Sequence, residues 1–197
     1  MSVPILDARI AEVNARSLQV AAAVVTSAFS LESQVQDWGG RRWAYDLTLT
    51  PVKGDDARRL SVFFDALSGS VGRFLLEDPS ICQEVTGAPV IAGSGQTGST
   101  VEMQGFFPSV RAFQAGDFFS LGTGLDTRLY RVTDDVTANG AGAASVPVVP
   151  PLRAPTVDGS AVEALKPKVL LRLAGPVPTG IQGAMIHRFS VSAVEAI

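Results

Sequence analysis

Three glycines, Gly93, Gly95 and Gly98, have the G-x-G-x-x-G spacing of dinucleotide-binding loops. Such a loop needs a helix after it, because the pyrophosphate binds at the helix N-terminus. Here Ser99 to Met103 follows, and its S-T-V-E-M sequence is typical of a strand. We therefore interpret the glycines as a flexible β-turn and expect no dinucleotide cofactor.

The chain has one histidine, His187, and one cysteine, Cys82. A Ser-His-Asp or Cys-His arrangement would need His187, yet no G-x-S-x-G elbow accompanies it. A zinc site would need several Cys, His or carboxylate ligands at close spacing, and the sequence has no such cluster. We interpret His187 as an ordinary strand residue and predict that Cys82 is a small buried apolar residue.

Two acidic pairs, Asp55-Asp56 and Asp134-Asp135, could supply the carboxylates of a hydrolase. The first pair precedes an apolar helical pattern, which favours a helix cap. The second lies in a polar segment without the D-x-D-x-D-G spacing of a calcium loop, which favours a solvated turn. No residue is therefore assigned to catalysis, to a metal or to a cofactor, and we expect the protein not to be an enzyme.

Aromatic residues are the remaining candidates for ligand binding. Trp38, Trp43 and Tyr45 could stack on sugars or bases, but aromatics in an alternating strand are more often core residues. Two further pairs are consecutive: Phe106-Phe107 and Phe118-Phe119. Consecutive residues of a strand point to opposite faces, so one of each pair would face another subunit or domain. We predict these four phenylalanines as possible interface residues.

Composition favours assembly over nucleic-acid binding. Hydrophobic residues make up 46% of the 197 residues and charged residues only 18%, which is below the roughly 25% of an average soluble domain. Apolar surface left over in such a chain often marks an interface. The net charge is -3 and no basic patch is present, so sequence-specific nucleic-acid binding is not expected. The sequence also predicts no signal peptide and no membrane insertion.

The first third of the chain predicts a sheet covered by a helix. Ile5–Leu31 predicts two or three strands, although the alanines at 21–23 leave a helix possible. Gly39-Gly40 predicts a turn before a strand that ends at Pro51. This strand alternates with period two through Trp43, Tyr45, Leu47 and Leu49. A helix over about 56–68 follows, with its apolar stripe at Leu60, Phe63, Phe64 and Leu67 and with Gly69 at its end.

From about residue 80 to 155 glycine is dense and no helical pattern is found. The strand candidates are Val85–Ile91, Ser99–Gln104, Asp117–Leu121, Leu129–Thr133 and Ala144–Val149. Pro147, Pro150 and Pro151 predict the last at a sheet edge. Longer strands return at Val169–Leu173 and Met185–Val194. We therefore predict a mainly β protein with a discontinuous β-domain, 1–79 and 156–197, and an inserted small β-barrel or β-sandwich module, 80–155.

Several segments occur in an order found in one family. In order, they are Trp43 with Leu47 and Leu49, Pro51, the helix Ala57–Leu67, GSVGRFLLEDP over 69–79, GQTGS over 95–99, AGD over 115–117, RLYRVT over 128–133, VVPPLR over 148–153, LRL over 171–173 and FSV over 189–191 with Glu195-Ala196. Together they resemble tail structural proteins of long, non-contractile-tailed phages and prophages, and the related distal tail proteins. The resemblance covers roughly residues 40–197 and lies in order and spacing, without a diagnostic motif.

The resemblance implies a structural function. Distal tail proteins form a ring, commonly a hexamer, which joins the tail tube to the baseplate hub and leaves a lumen for DNA. Their N-terminal β-domain builds the ring, and a peripheral module supports receptor-binding or side-fibre proteins in some phages. The expected partners are therefore other copies of the chain, a tail tube protein and a hub protein, and the expected location is the virion, after synthesis in the host cytoplasm. Here the second module is inserted and not appended.

Three other functions are compatible with the sequence. Another minor tail or tube-end protein, or a tail-tube subunit, would have a similar build. A carbohydrate-binding module would need exposed aromatics on the inserted module. A hydrolase acting on cell envelopes has no support beyond the fact that tail tips sometimes carry such enzymes.

Overall fold

The computed structural model describes residues 3–182 and 186–197. Strands account for 49% of the residues and helical segments for 9%, which confirms the predicted mainly β class. The strands before residue 80 are β1 Ile5–Leu6, β2 Ala11–Thr26, β3 Ser33–Leu49, β4 Val52–Lys53 and β5 Phe74–Glu77, with helix α1 at Asp55–Ala66. The later strands are β6 Val90–Ile91, β7 Gly98–Gln104, β8 Arg111–Phe113, β9 Phe118–Leu121, β10 Arg128–Val132, β11 Val136–Thr137, β12 Ala143–Leu152, β13 Lys168–Leu173, β14 Thr179–Gln182 and β15 Ile186–Glu195.

An eight-stranded sheet is built from both ends of the chain. Its order is β1-β5-β13-β15-β3-β2, and β4 and β14 also pair with β15. The period-two prediction for β3 is confirmed, since Trp43, Tyr45, Leu47 and Leu49 are all at most 3% exposed and belong to one core. Val169, Leu171 and Leu173 of β13 are buried in the same core, as their alternation predicts.

Helix α1 covers this core with its predicted stripe. Phe64 and Leu67 are buried, and the Phe64 ring lies 5.8 Å from the ring of Phe189 on β15. The predicted aspartate cap is wrong, because Gly54 is the N-cap and makes no side-chain hydrogen bond. Its φ of +62° is a conformation that glycine adopts without strain. Asp55 instead lies in the first turn, where its charge faces the positive end of the helix dipole.

A five-stranded sheet lies between residues 90 and 152, in the order β6-β7-β12-β10-β9, and β8 pairs separately with β11. It has its own core, which includes Met103, Phe119, Tyr130 and Val146. The predicted edge position of β12 is wrong, because β12 pairs with β7 on one side and β10 on the other. Strand β7 pairs with residues 143–147 and again at Leu152, whereas β10 pairs with residues 148–149. Pro150 and Pro151 thus lie in the irregularity of the β7 ladder, where proline is tolerated.

The two sheets contact each other through β13, which lies against β9 and β10. The Trp43 indole N–H donates to the Leu129 carbonyl at 3.0 Å, and the Phe118 ring packs edge-on against Trp43 at 5.6 Å. Phe118 and Leu129 thus belong to the core of the eight-stranded sheet. The proposed domain boundaries at residues 79/80 and 155/156 remain a prediction.

Three smaller expectations have other outcomes. Cys82 is exposed, so its predicted burial is wrong; it lies in the irregular segment between the two sheets. Only Val90–Ile91 of the predicted strand Val85–Ile91 pairs with a neighbour. Met185, the predicted first residue of the last strand, lies outside the described residues. Within the described ranges, no helix combines the length and apolar character needed to cross a membrane.

Gly142 and Gly140 offer a matched test of the turn before β12. Gly142 has a φ of +74°, and a Cβ built on it would lie 2.4 Å from the Phe106 carbonyl oxygen, whereas a Cβ on Gly140 would meet nothing within 4 Å. Gly142→Ala should lower the free energy of unfolding by about 1–2 kcal/mol or more, because an L-residue is strained at that φ. Urea denaturation should show Gly140→Ala within about 0.5 kcal/mol of the parent. Equal stabilities of the two variants would contradict the described turn.

Candidate assembly surface

The longest feature of the fold is the hairpin of β2 and β3, whose register runs from Ala11–Leu49 to Thr26–Ser33. Strand β15 pairs with β3 only as far as Ala44, opposite Val194, and β2 is the last strand of its sheet. In the described structure, the hairpin beyond this point is a two-stranded ribbon with no further strand on either edge. We call residues 20–41 the arm. Val20 to Thr26 alone extends it by about 20 Å at the usual strand rise.

The arm differs from the sequence prediction in two respects. Residues 5–31 contain one sixteen-residue strand, β2, beside the two-residue β1, and the alanines at 21–23 continue β2 without a helix. Gly39-Gly40 lies inside β3 and not in a turn. The register with β2 shifts between Val20 and Ala22, so the glycines sit in a bulge, where Gly39 has a φ of +73°. A Cβ on Gly40 would come within 3.0 Å of the Ala21 Cβ, which explains the small residues at this bulge.

The arm exposes an unusual number of large apolar side chains. They are Val20, Val24, Val25, Phe29, Leu31, Val35 and Trp38, of which Phe29 is fully exposed. Both faces of the ribbon are involved, because Val24 lies opposite Val35 on one face and Val25 lies opposite Gln34 on the other. Scattered single apolar residues on a surface are normal, but a contiguous exposed set indicates an interaction surface.

Apart from the bulge at Gly39-Gly40, the arm has few of the features that protect open strand edges. Natural edge strands are shielded by lysine, by proline or by inward-facing charges, which discourage pairing with another chain. Residues 20–41, VAAAVVTSAFSLESQVQDWGGR, contain no lysine and no proline. Arg41 is the one basic residue, and it pairs with Asp37 within the arm at 3.1 Å. Such a long and weakly charged ribbon is suited to strand pairing with a second chain.

A buried ion pair lies at the root of the arm. The Glu195 carboxylate is fully buried at the end of β15, and its Oε2 accepts from Arg153 Nη2 at 2.7 Å and from the Trp43 backbone N–H at 3.0 Å. Arg153 Nη2 also donates to the Arg41 carbonyl at 2.9 Å. Glu195 Oε1 and Arg153 Nη1 are buried without a hydrogen-bond partner in the protein. Burial raises the pKa of the Glu195 carboxyl, and the Arg153 guanidinium opposes that rise.

A second buried carboxylate, Asp78, binds side chains of both strands of the hairpin. It forms an ion pair with Arg16 on β2, and it accepts from the Tyr45 hydroxyl at 3.0 Å and from the Ser80 hydroxyl at 2.6 Å. Burial and the neighbouring Asp78 charge raise the pKa of Tyr45 well above its usual value. The Arg16 guanidinium also lies 4.0 Å from the centre of the Phe118 ring on β9. Polar contacts therefore fix the hairpin to both sheets.

The four phenylalanines predicted as interface residues do not share one surface. Phe106 packs against Phe113, and Phe119 lies between Phe113 and Tyr130, all in the core of the five-stranded sheet. Phe118 faces the other way, into the core of the eight-stranded sheet. Phe107 is 60% exposed, beyond the end of β7, and is the one member of the set available to another molecule.

The other residues considered for catalysis or cofactor binding lie at separate places in the fold. His187 lies on β15, half-buried, with its ring stacked 6.4 Å from that of Phe189. Asp135 accepts the Ala115 backbone N–H at 2.8 Å in a turn. Gly93 and Gly95 lie in the segment between β6 and β7, and Gly98 is the first residue of β7. Among residues 3–182 and 186–197, no group of three or more His, Cys, Asp or Glu side chains could hold a metal ion.

The three aromatic residues considered for stacking on sugars or bases do not lie together. Trp43 and Tyr45 are buried core residues, whereas Trp38 is exposed on the arm. The sequence predicts strands in this segment but not their exposure, because a strand with exposed apolar residues has the same pattern as a core strand. The available signal was the stretch from residue 17 to 41 without lysine or proline, together with two strands too long for the rest of the sheet.

No protein-family model matches the chain, and no similar sequence is found among curated proteins. The function is therefore argued from the chain's own geometry and from the resemblance in the order of its segments. The arm is the feature of this geometry that most directly indicates an activity.

The pKa of Glu195 makes a testable difference to stability. Because the pKa is raised in the folded chain above its ordinary value of 4.5, the contribution of this carboxyl to the free energy of unfolding is full below pH 4.5. It is lost as the pH rises through the folded-state pKa. Glu195→Gln removes this dependence, so the stability advantage of the parent over the variant should be larger near pH 4 than near pH 8. Denaturant titrations at both pH values would measure it; a larger advantage near pH 8 would show that Arg153 lowers the pKa instead.

Proposed function

We propose that this chain is a structural subunit of a phage tail tip, a distal tail protein, which assembles with copies of itself into a ring. The ring joins the tail tube to the baseplate hub and leaves a lumen for DNA. The observation that supports this proposal most is the arm, a two-stranded ribbon with open edges and exposed apolar residues on both faces. A ring-forming subunit needs such a surface, and the isolated chain leaves it uncovered.

The two open edges of the arm belong to different strands. One edge is the outer side of β2, and the other is the side of β3 beyond Arg41. Pairing β2 of one copy with β3 of the next is a heterologous contact, in which different surfaces meet. Repetition of one such contact closes into a ring when the rotation allows it, and a closed ring leaves no strand edge unpaired. A ring of six is the number that the resemblance implies.

Ring formation would also cover the apolar side chains of the arm. Strand neighbours lie about 4.8 Å apart, so Val24 and Val35 of adjacent copies would lie within contact distance on one face. The opposite face would carry the glutamines at 34 and 36 beside Val25. A face with uncharged polar groups could border a lumen without binding the phosphates of passing DNA, which need basic partners.

In this proposal, the five-stranded sheet lies outside the ring and offers Phe107 to further tail components. Receptor-binding or side-fibre proteins are the partners that fit such a peripheral module. The proposed function is structural and includes no enzymatic role. A carbohydrate-binding role is less well supported, because Phe106 and Phe118 are buried in the chain.

A second tail position is compatible with the same arm. A tail-tube subunit or another tube-end protein would also use open strand edges to form rings. Antibody labelling of this protein in intact particles separates these positions. A distal tail protein should be labelled at one end of the tail only. Label along the whole tail would favour a tube subunit, and absence from purified particles would overturn the tail proposal.

The role of the arm is tested by changing its apolar face without breaking the hairpin. Val24→Lys with Val35→Glu places opposite charges on directly paired residues, which keeps the cross-strand contact favourable. These charges would resist burial between copies, so we expect the self-association constant to fall at least about tenfold. The melting temperature of the unassociated chain should change little, because both valines are 62% exposed.

The matched control introduces the same two charged residues, Lys and Glu, in place of exposed valines outside the arm. Val62→Lys with Val71→Glu alters two exposed valines, on α1 and in the loop after it. Sedimentation velocity and negative-stain images should show rings for the parent and for this control. A parent that remains monomeric at all concentrations, or an arm variant that assembles like the parent, would contradict the proposal.

A further inference from the structure

The backbone of β3 loses its strand partner at one defined point. The last residue pair between β15 and β3 joins Val194 to Ala44. At the next residue, the Trp43 N–H donates to the Glu195 side chain, and two residues further the Arg41 carbonyl accepts from Arg153. A carboxylate acceptor and a guanidinium donor therefore take the places that backbone groups of a continuing strand would occupy.

The two side chains come from different parts of the fold. Glu195 is the last residue of β15 in the eight-stranded sheet, whereas Arg153 directly follows β12 in the five-stranded sheet. The backbone N–H of Arg153 also donates to the Tyr130 hydroxyl on β10 at 3.4 Å. The pair thus connects the root of the arm to both sheets at once.

Each member of the pair depends on the other. The Glu195 side chain is fully buried and that of Arg153 is only 11% exposed, at a separation of 2.7 Å. Removal of one partner from such a pair leaves an uncompensated buried charge, whereas replacement of both by apolar groups of similar size is often tolerated. In some proteins such a buried polar pair serves to fix one geometry, and the position of this pair at the root of the arm suits that role.

We propose that Arg153 and Glu195 form a clamp that closes the β3 edge at the root of the arm and fixes the direction of the arm relative to the five-stranded sheet. Strand addition by another copy can then begin only beyond Arg41, and the arm and the five-stranded sheet move as one unit. The biological use of this clamp rests on the proposed ring. The clamp itself is a property of the single chain.

Spin labels on the arm and on the five-stranded sheet test the fixed direction. In a Cys82→Ser background, labels are attached at Phe29→Cys, at the tip of the arm, and at Leu125→Cys, between β9 and β10. Double electron–electron resonance measures the distribution of distances between the two spin labels in the unassociated chain. Arg153→Met should broaden this distribution at least about twofold, because the arm then loses its tie to the five-stranded sheet.

Arg58→Met is the matched control, because Arg58 forms an exposed pair with Asp55 on α1, away from the arm. It should leave the distribution of distances unchanged. A distribution that is equally narrow in the parent, Arg153→Met and Arg58→Met would overturn the clamp.

A second variant covers the case in which Arg153→Met does not fold. Arg153→Met combined with Glu195→Leu removes both charges and leaves an apolar contact, which buried sites tolerate. Hydrogen exchange of the Trp43 amide should then be at least about tenfold faster, because its acceptor is lost. Exchange at Val191, in the core of the same sheet, should stay as in the parent. Unchanged Trp43 exchange in this variant would overturn the clamp.

These measurements separate the clamp from the ring. Both are made on the unassociated chain, so a parent that never assembles would refute the ring and leave the clamp standing. Unchanged distances together with unchanged Trp43 exchange would refute the clamp and leave the ring standing.

Discussion

The difference in length between β3 and its neighbour β15 governs the rest of this structure. β3 has seventeen residues, but only the five from Ala44 to Thr48 pair with β15. On its other side β3 pairs with β2 along nearly its whole length. The parts of both strands that extend past β15 therefore project from the eight-stranded sheet together, as one ribbon. Since the ribbon lies in solvent, water satisfies its free backbone groups, and the unpaired edges cost the single chain little. The uncovered apolar side chains are what a second copy could remove from water.

The hairpin has the same alternation in the body and in the arm, yet the outcome differs. Leu18 and Trp43 face each other at the base and pack in the core, whereas Val24 and Val35 face each other further out and are exposed. The side-chain pattern therefore cannot by itself distinguish a strand that meets a core from one that has passed it. What distinguishes them is whether helix α1 and the five-stranded sheet reach that far.

This explains how much of the fold the sequence predicts. Local rules identify β3 from its period-two alternation and α1 from the spacing of its apolar stripe, because both patterns depend on the element's own geometry. Local rules fail where contacts with another strand or sheet determine the position of a residue. The prolines of β12 predict an edge, but that strand lies between β7 and β10, with Pro150 and Pro151 in an irregularity of the β7 ladder. Cys82 is exposed because the chain crosses between two sheets there, which no pattern at that position indicates.

The candidate surface is less predictable than the fold for the same reason. Phe118 and Phe119 do point to opposite faces, as consecutive strand residues must, but each face is covered by a core of the same chain. The apolar residues that stay exposed lie in a segment whose composition resembles that of a core strand. The absence of lysine and proline from this segment is informative only once the strand is known to be an edge.

Two buried carboxylates complete the physical account of the hairpin. Asp78 and Glu195 are both fully buried, and each is paired with an arginine and with a group on β2 or β3. Hydrophobic packing alone holds surfaces together with little preference for direction, whereas a hydrogen-bonded ion pair tolerates only a narrow range of distance and angle. A long ribbon amplifies any error at its root, because a small rotation there displaces its tip by several ångströms over about 20 Å. In the proposed ring, the two open edges would meet neighbouring copies at a fixed angle, and polar contacts at the root of the arm would hold that angle.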